Sequence, residues 1–323
     1  ELYGKKPVVF LDEVQNIPHW DKFVRRLTDA KYRVYVTGSN AKMLSKEVAT
    51  TLGGRFFIYD AYPYSFKEYL AAQQVELREH WEYDTIQRSE VKRHLNEYFY
   101  YGGLPEILSF KNKRAMLSSL YQKIYLGDIC ARNNIKNDRV LNILIKKMAE
   151  SVKQPLSYNR LKNVIVATGS PISVPTTIDY AEYASDSWLI LPMENEVGKL
   201  TEKEMQKKYY FVDNGLLNLF LMNSETSLLE NVVAVELCRR FGKKNVFFLN
   251  AEKEIDFIVP DEKLAIQVSY SIKDATTYNR EVPPLVKYAK AHQDWKCLLI
   301  TYDEEGTEEG IPVVSVWKWL MEV

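Results

Sequence analysis

Val8-Val9-Phe10-Leu11 runs directly into Asp12 and Glu13. A short continuous apolar run rich in β-branched residues reads as a buried strand. Two carboxylates at the end of such a strand constrain the fold, because ligands of a parallel sheet bind in the crevice at its carboxyl edge. The neighbouring segments agree. Trp20, Phe23, Val24 and Leu27 fall on one face of a helix over His19 to Asp29. Tyr32 to Asn40 is a second strand that ends in the small polar turn Thr37-Gly38-Ser39-Asn40. Strand, helix and strand in that order favour a parallel sheet with helices on its faces. A third strand is expected over Phe56 to Tyr59, and a helix starts near Ser65, beyond Pro63.

The 323 residues exceed one ordinary core and predict several domains. With 46% apolar and 27% charged residues, the balance is that of a soluble globular protein. Lys plus Arg and Asp plus Glu number 43 each, so whole-chain attraction to nucleic acid is not indicated. Cys130, Cys238 and Cys297 are odd in number and far apart, which reads as free thiols in a reducing compartment and a cytoplasmic location. His19, His80, His94 and His292 form no metal-binding pair of the HExxH kind. No run approaches the roughly 18 apolar residues of a membrane span, and Glu1-Leu2-Tyr3 does not begin a signal peptide. No membrane partner is expected. Lacking an initial Met, the chain reads as a piece of a longer protein.

Gln73 to Gly127 is helical, interrupted by a loop at Gly102, Gly103 and Pro105. Arg139 to Val152 is a helix, and Ser157 caps a second over Tyr158 to Ala167. A third helix, Thr176 to Ser185, precedes a strand over Trp188 to Pro192, and three helices with a strand pair predict a winged helix-turn-helix. Its third helix carries Asp179 and Glu182, with Asp186 following, and no Lys or Arg. Phosphates would repel that surface, which favours a structural or protein-contact role over DNA reading. Basic residues cluster at Arg239, Arg240, Lys243 and Lys244 and at Lys203, Lys207 and Lys208, as solvated faces or as phosphate contacts. Further on, Leu228 to Phe241 is a helix stopped by Gly242. Strands follow in NVFFLN, EIDFIV and LAIQVSY, then a helix over Glu281 to His292, strands in KCLLITYD and IPVVSV, and a helix over Trp317 to Met321.

At the strand end, Asp12 is placed to hold Mg²⁺ directly or through water, and Glu13 to orient a water for attack on a γ-phosphate. A polar residue one strand over is placed to sense that phosphate. Arg55 could reach phosphate, also across a subunit interface. The plainer alternatives are acids that begin a loop and cap a helix, and an Arg in a surface salt bridge.

VVFLDEVQNIPHW, YVTGSNAKMLSKEVATTLGGR and YPYSFKEYL together resemble a prokaryotic family of AAA+-type P-loop ATPases. Its members share a Walker B strand with LDE-I/V-Q, a TGS-N/S block with LS and L-x-GR, and P-F/Y-SF-x-E-F/Y. The resemblance covers nearly the whole chain. It implies Asp12 and Glu13 as Walker B acids, Ser39 or Asn40 in the sensor 1 position, Arg55 as a candidate arginine finger, ATP and Mg²⁺ as cofactors, and a ring or dimer as the assembly. The family's phosphate loop, G-x-x-x-x-G-K-S/T, is expected ahead of the Walker B strand, and the residues ahead of Lys6 hold none. The carboxylates then form half of a nucleotide site. Little ATP affinity is expected of the chain alone, and ATPase activity of the intact protein.

The C-terminal order of helix, three strands, helix and strand resembles the PD-(D/E)XK nuclease fold. Its chemistry needs an acid on the helix, an Asp on the second strand, and an acid and a Lys two apart on the third. Glu230 or Glu236 and Asp256 fit, but Gln267 stands for the acid and Ser269 for the Lys. The expected architecture is therefore α/β: a partial P-loop NTPase parallel sheet (1–72), a helical lid or linker (73–136), a winged helix (137–200) and a degenerate nuclease-like domain (201–323). The expected function is an ATPase that couples nucleotide state to a DNA or protein partner. The alternatives are a metal-dependent nuclease acting through the C-terminal domain and a non-enzymatic interaction scaffold.

Overall fold

The computed structural model describes residues 6–14, 17–38, 55–251 and 254–322. The sensor candidates Ser39 and Asn40 lie outside these residues. Strands β1 (Val8–Leu11) and β2 (Arg33–Val36) pair in parallel, Val8 opposite Arg33 and Leu11 opposite Val36, with α1 (Trp20–Asp29) as the crossover. Trp20 and Val24 of α1 are buried with Val14, against Leu11, Val34, Val36 and Phe56. The strand is not buried on both faces, contrary to the expectation from its unbroken apolar run. Phe10 is 74% exposed and stacks on Tyr35 at 5.1 Å on the face away from α1. Parallel sheets are ordinarily covered on both faces. The expected third strand, Phe56 to Tyr59, pairs with no strand among the described residues, and Phe57 and Tyr59 are exposed.

From Phe66 to Leu320 one buried apolar cluster runs through the molecule. Helix α2 (Phe66–Ala72) opens on a reciprocal cap: Glu68 N–H donates to Ser65 Oγ at 3.2 Å, and Ser65 N–H donates to Glu68 Oε2 at 2.7 Å. Helices α3 (Thr85–Tyr101) and α4 (Lys113–Gln122) follow, and α4 runs on as a wider π-type helix to Ala131. Then come α5 (Asp138–Glu150), α6 (Tyr158–Ala167) and α7 (Val174–Asp186), with Ser157 and Ser173 accepting the cap hydrogen bonds of α6 and α7. Strands β3 (Leu156–Ser157), β4 (Ile190–Met193) and β5 (Gln206–Phe211) form an antiparallel sheet in the order β3-β5-β4, with α8 (Leu200–Met205) ahead of β5. Strand β5 was expected beyond a boundary at 200. Its ladders run back to β3 and β4, across that boundary.

After α9 (Asn214–Asn218) and α10 (Glu225–Phe241) comes a six-stranded mixed sheet. It contains β6 (Phe247–Asn250), β7 (Glu254–Val259), β8 (Leu264–Ser269), β9 (Lys296–Thr301), β10 (Gly306–Glu308) and β11 (Ile311–Ser315) in the order β10-β11-β9-β8-β7-β6. Helix α11 (Ala275–Ala291) lays Val282, Leu285 and Val286 against Ile255, Ala265, Leu299 and Val313, and α12 (Val316–Met321) follows β11. Helix α11 begins at Ala275, ahead of the expected Glu281. Asp274 caps it by accepting Thr277 N–H at 2.9 Å, whereas Pro283 and Pro284 weaken its sequence signal. The two sheets are stitched together: Glu196 N–H donates to Phe248 O at 2.8 Å and Phe248 N–H to Glu194 O at 3.0 Å.

Gly102 shows how tightly the centre is closed. Its φ is +77°, and a Cβ there would lie 2.0 Å from Asp213 Oδ1. The buried Asp213 accepts N–H groups from Gly103 at 2.7 Å and Gly215 at 2.8 Å, and burial pushes its carboxyl up to about 6 against those donors. Gly102→Ala combines left-handed backbone strain with a clash on a buried carboxylate. It is expected to cost about 3 kcal/mol, read by urea denaturation. A loss under about 1 kcal/mol would mean that the turn repacks freely.

The three cysteines are free thiols, two of them buried. Among the described residues no helix is long and apolar enough to cross a membrane.

Candidate functional site

The acids Asp12 and Glu13 leave the carboxyl end of β1 exposed to solvent. Backbone pairing continues past the strand: Thr37 N–H donates to Leu11 O at 2.9 Å and Val14 N–H to Thr37 O at 3.3 Å. Between these bonds the Thr37 hydroxyl donates to Asp12 Oδ1 and accepts Glu13 N–H at 3.3 Å. Glu13 itself adopts φ +51°, a left-handed conformation uncommon for a residue with a side chain. A short crossover thus brings two adjacent strand ends together as one polar edge with a carboxylate, a hydroxyl and a second carboxylate. Thr37 opens the polar turn seen in the sequence, but nothing in the spacing tells that its hydroxyl meets Asp12.

Arg55 is not part of this edge. It pairs with Asp29 at 3.4 Å, at the end of α1. Because β1 and β2 are parallel, α1 runs back, and its end lies by the amino ends of the strands. The Lys6 ammonium at the start of β1 marks that side by donating to Ala30 O. Within one chain Arg55 and Asp12 therefore occupy opposite edges of the sheet.

The C-terminal candidates divide. Glu230 on α10 and Asp256 on β7 converge on Lys208, a member of the Lys203, Lys207 and Lys208 run. Lys208 of β5 is fully buried, with Nζ 3.1 Å from Glu230 Oε1, 3.0 Å from Glu254 Oε1 and 3.4 Å from Asp256 Oδ1. The Tyr210 hydroxyl donates to Glu230 Oε1 at 2.8 Å, and Val268 N–H donates to Asp256 Oδ2 at 2.9 Å. Burial opposes the ammonium, but Glu230, Asp256 and Glu254 outweigh it and hold the Lys208 pKa above the usual lysine range. Burial and then Glu230 push the Asp256 carboxyl up, against Lys208. Gln267 does not line this cluster as a ligand. Its Nε2 donates to Glu281 Oε2 at 2.6 Å, its Oε1 accepts Asp256 N–H at 3.3 Å, and Glu281 also takes Arg280 Nε at 2.6 Å.

Glu236 stands apart, accepting Arg239 Nε at 3.0 Å and Arg240 Nε at 2.8 Å. Arg239 Nη1 also donates to Pro63 O at 2.7 Å, and Lys243 pairs with Asp60 at 3.2 Å. Lys207 pairs with Glu194 at 3.1 Å, and Lys203 donates to Glu196 O at 2.6 Å. Each of these cations is engaged by a carboxylate or a backbone carbonyl of the same chain. Lys208, Tyr210 and Glu281 carry no site signal in the sequence beyond a weak one, a lysine two residues before a buried Tyr in KKYYF, and Glu254 reads there as a charged residue at a strand edge.

Residues 1–70 match the model of an AAA domain, and residues 92–227 match that of a domain of unknown function (DUF8612). The uncharacterized protein MJ1544 of Methanocaldococcus jannaschii is 33% identical over 333 residues, which cover 96% of this chain and 74% of that protein. An uncharacterized protein of Haemophilus influenzae is 31% identical over 329 residues, covering 98% of this chain and 78% of that protein.

Proposed function

The chain belongs to the same family as MJ1544, with an AAA-domain segment at its front, and we propose that Asp12 and Glu13 are the metal- and water-organising half of an ATP-hydrolysing site. One observation carries this: the two acids and the Thr37 hydroxyl share one hydrogen-bonded edge at the carboxyl ends of adjacent parallel strands. The Asp12 carboxylate and Thr37 hydroxyl are hard oxygen donors of the kind Mg²⁺ takes. When bound, Mg²⁺ neutralises charge on the phosphates. Thr37 orients Asp12 and fixes the backbone of Glu13, whose carboxylate then orients a water. No G-x-x-x-x-G-K-S/T loop occurs in the 323 residues, so the test uses the protein at the length of its relatives. There Asp12→Asn is expected to weaken Mg·ATP binding roughly tenfold or more in calorimetry. Unchanged affinity would remove Asp12 from the site.

In this proposal the helices α5 to α7 with β3 to β5 act as a winged helix, its acidic α7 turned to protein contact and not to DNA. The six-stranded sheet with α10 and α11 is a nuclease-like scaffold, with Gln267 and Ser269 where that chemistry needs an acid and a Lys. Nucleotide state in the first unit would be passed to these units and to a protein partner. Segment Asp60–Glu68, held by Arg239 and Lys243 of the C-terminal part, supports that route.

A further inference from the structure

The buried cluster around Lys208 is assigned no role by the nucleotide reading and stands independently of it. We propose that the Lys208 ammonium occupies the cation position of the Glu230–Glu254–Asp256 cluster, so that the C-terminal sheet is assembled around a cation supplied by β5 in place of a divalent metal.

Three observations carry this. First, the three carboxylates come from α10 and β7, while the cation comes from a strand of the other sheet. Their oxygens meet at one point, 3.0, 3.1 and 3.4 Å from Nζ. These are ammonium distances. Oxygen ligands of Mg²⁺ and Ca²⁺ sit at about 2.0–2.6 Å. Second, Lys208 is fully buried and its Nζ lies 5.6 Å from the centre of the Phe248 ring, so the ammonium is enclosed by an aromatic face as well as by the acids and cannot swing into solvent as a surface lysine does. Third, the other contacts of the acids are already donors: Tyr210 on Glu230 and Val268 N–H on Asp256. Three carboxylates against one ammonium leave an excess of negative charge. Emptied of Lys208, the same oxygens would attract a doubly charged cation after a contraction of about 1 Å. With Lys208 in place, a metal ion entering would meet a buried positive charge.

The arrangement has a mechanical consequence. Strand β5 cannot leave the C-terminal sheet without stripping the cation from three carboxylates, two of them buried. Lys208 therefore ties the three-stranded sheet to the six-stranded one and keeps the acids from metal-dependent chemistry.

The test uses Mn²⁺ alone, in an Asp12→Asn background so that the front acids do not contribute. Bound Mn²⁺ is read by electron paramagnetic resonance, and the unfolding midpoint by circular dichroism. The chain with Lys208 is expected to show no Asp256-dependent Mn²⁺ binding. Lys208→Ala is expected to bind one Mn²⁺ roughly tenfold tighter or better, to gain thermal stability with it, and to lose both on adding Asp256→Asn. Lys208→Ala combined with Glu230→Gln removes one charge of each sign. It guards against a single variant that fails to fold, and it is expected to fold and to bind Mn²⁺ through Glu254 and Asp256. Asp256-dependent Mn²⁺ binding or DNA cleavage by the chain with Lys208 overturns the proposal. So does a folded Lys208→Ala variant, with or without Glu230→Gln, that binds Mn²⁺ no better.

Discussion

Glu13→Gln, made in the protein at the length of its relatives, is expected to leave ATP binding intact and to lower turnover by about 100-fold or more. The amide keeps the size of the side chain and, in the same left-handed backbone, the N–H bond to Thr37 Oγ1. What it loses is the negative oxygen that orients and polarises a water. Binding depends on the phosphate-cradling part and on Asp12, so affinity and turnover should separate. Single-turnover hydrolysis at saturating ATP measures this. Turnover at the original rate would show that Glu13 is only the first residue of a loop, the plainer reading of an acid after a strand.

The second large effect is on stability. Lys208→Met is expected to destabilise the chain by about 3–5 kcal/mol, because it leaves buried carboxylates without their counter-ion. Methionine nearly conserves the volume, so lost packing contributes little. The pH dependence follows from Asp256, whose carboxyl is already held above its usual range by burial and Glu230. A carboxyl with a raised folded-state pKa binds more protons folded than unfolded. Its contribution is fully present below about pH 4, the unfolded value, and is lost as pH rises toward the raised one. Without the ammonium this slope steepens, so the deficit of Lys208→Met should be larger at pH 8 than at pH 5 in urea titrations. An equal deficit at both would mean that the cluster adjusts by taking in water.

Much of the local structure was legible in the sequence, because local rules decided it. The β1 strand with its two acids, the crossover to β2, the Ser157 cap and the Gly242 stop all depend on residues within a few positions of one another. Periodicity failed where burial was not local. The apolar run of β1 looks buried from composition, yet Phe10 and Tyr35 stack on an open face. Phe56 to Tyr59 has strand-forming residues but no ladder to join among the described residues. Pairing and covering are properties of neighbours, and a single segment does not specify its neighbours.

The candidate site divides in the same way. Asp12 and Glu13 could be singled out because a strand end is a position that hydrophobic patterning reveals. That Thr37 meets Asp12, and that Arg55 sits on the far edge with Asp29, followed only from the parallel register and the return direction of α1. Glu230 and Asp256 were identified as isolated acids by their place in a pattern, and Gln267 and Ser269 as departures from it. Lys208 looked like one member of a basic run. Its ammonium instead fills a site made by residues 22, 46 and 48 positions away. Sequence alone determined most of the helices and strands, their caps and where carboxylates stand at strand ends, since those depend on short-range sterics, capping and periodicity. Tertiary structure alone decided which charge neutralises which, because in a buried, low-dielectric interior that depends on which backbones are brought within about 4 Å, and no spacing along the chain encodes it.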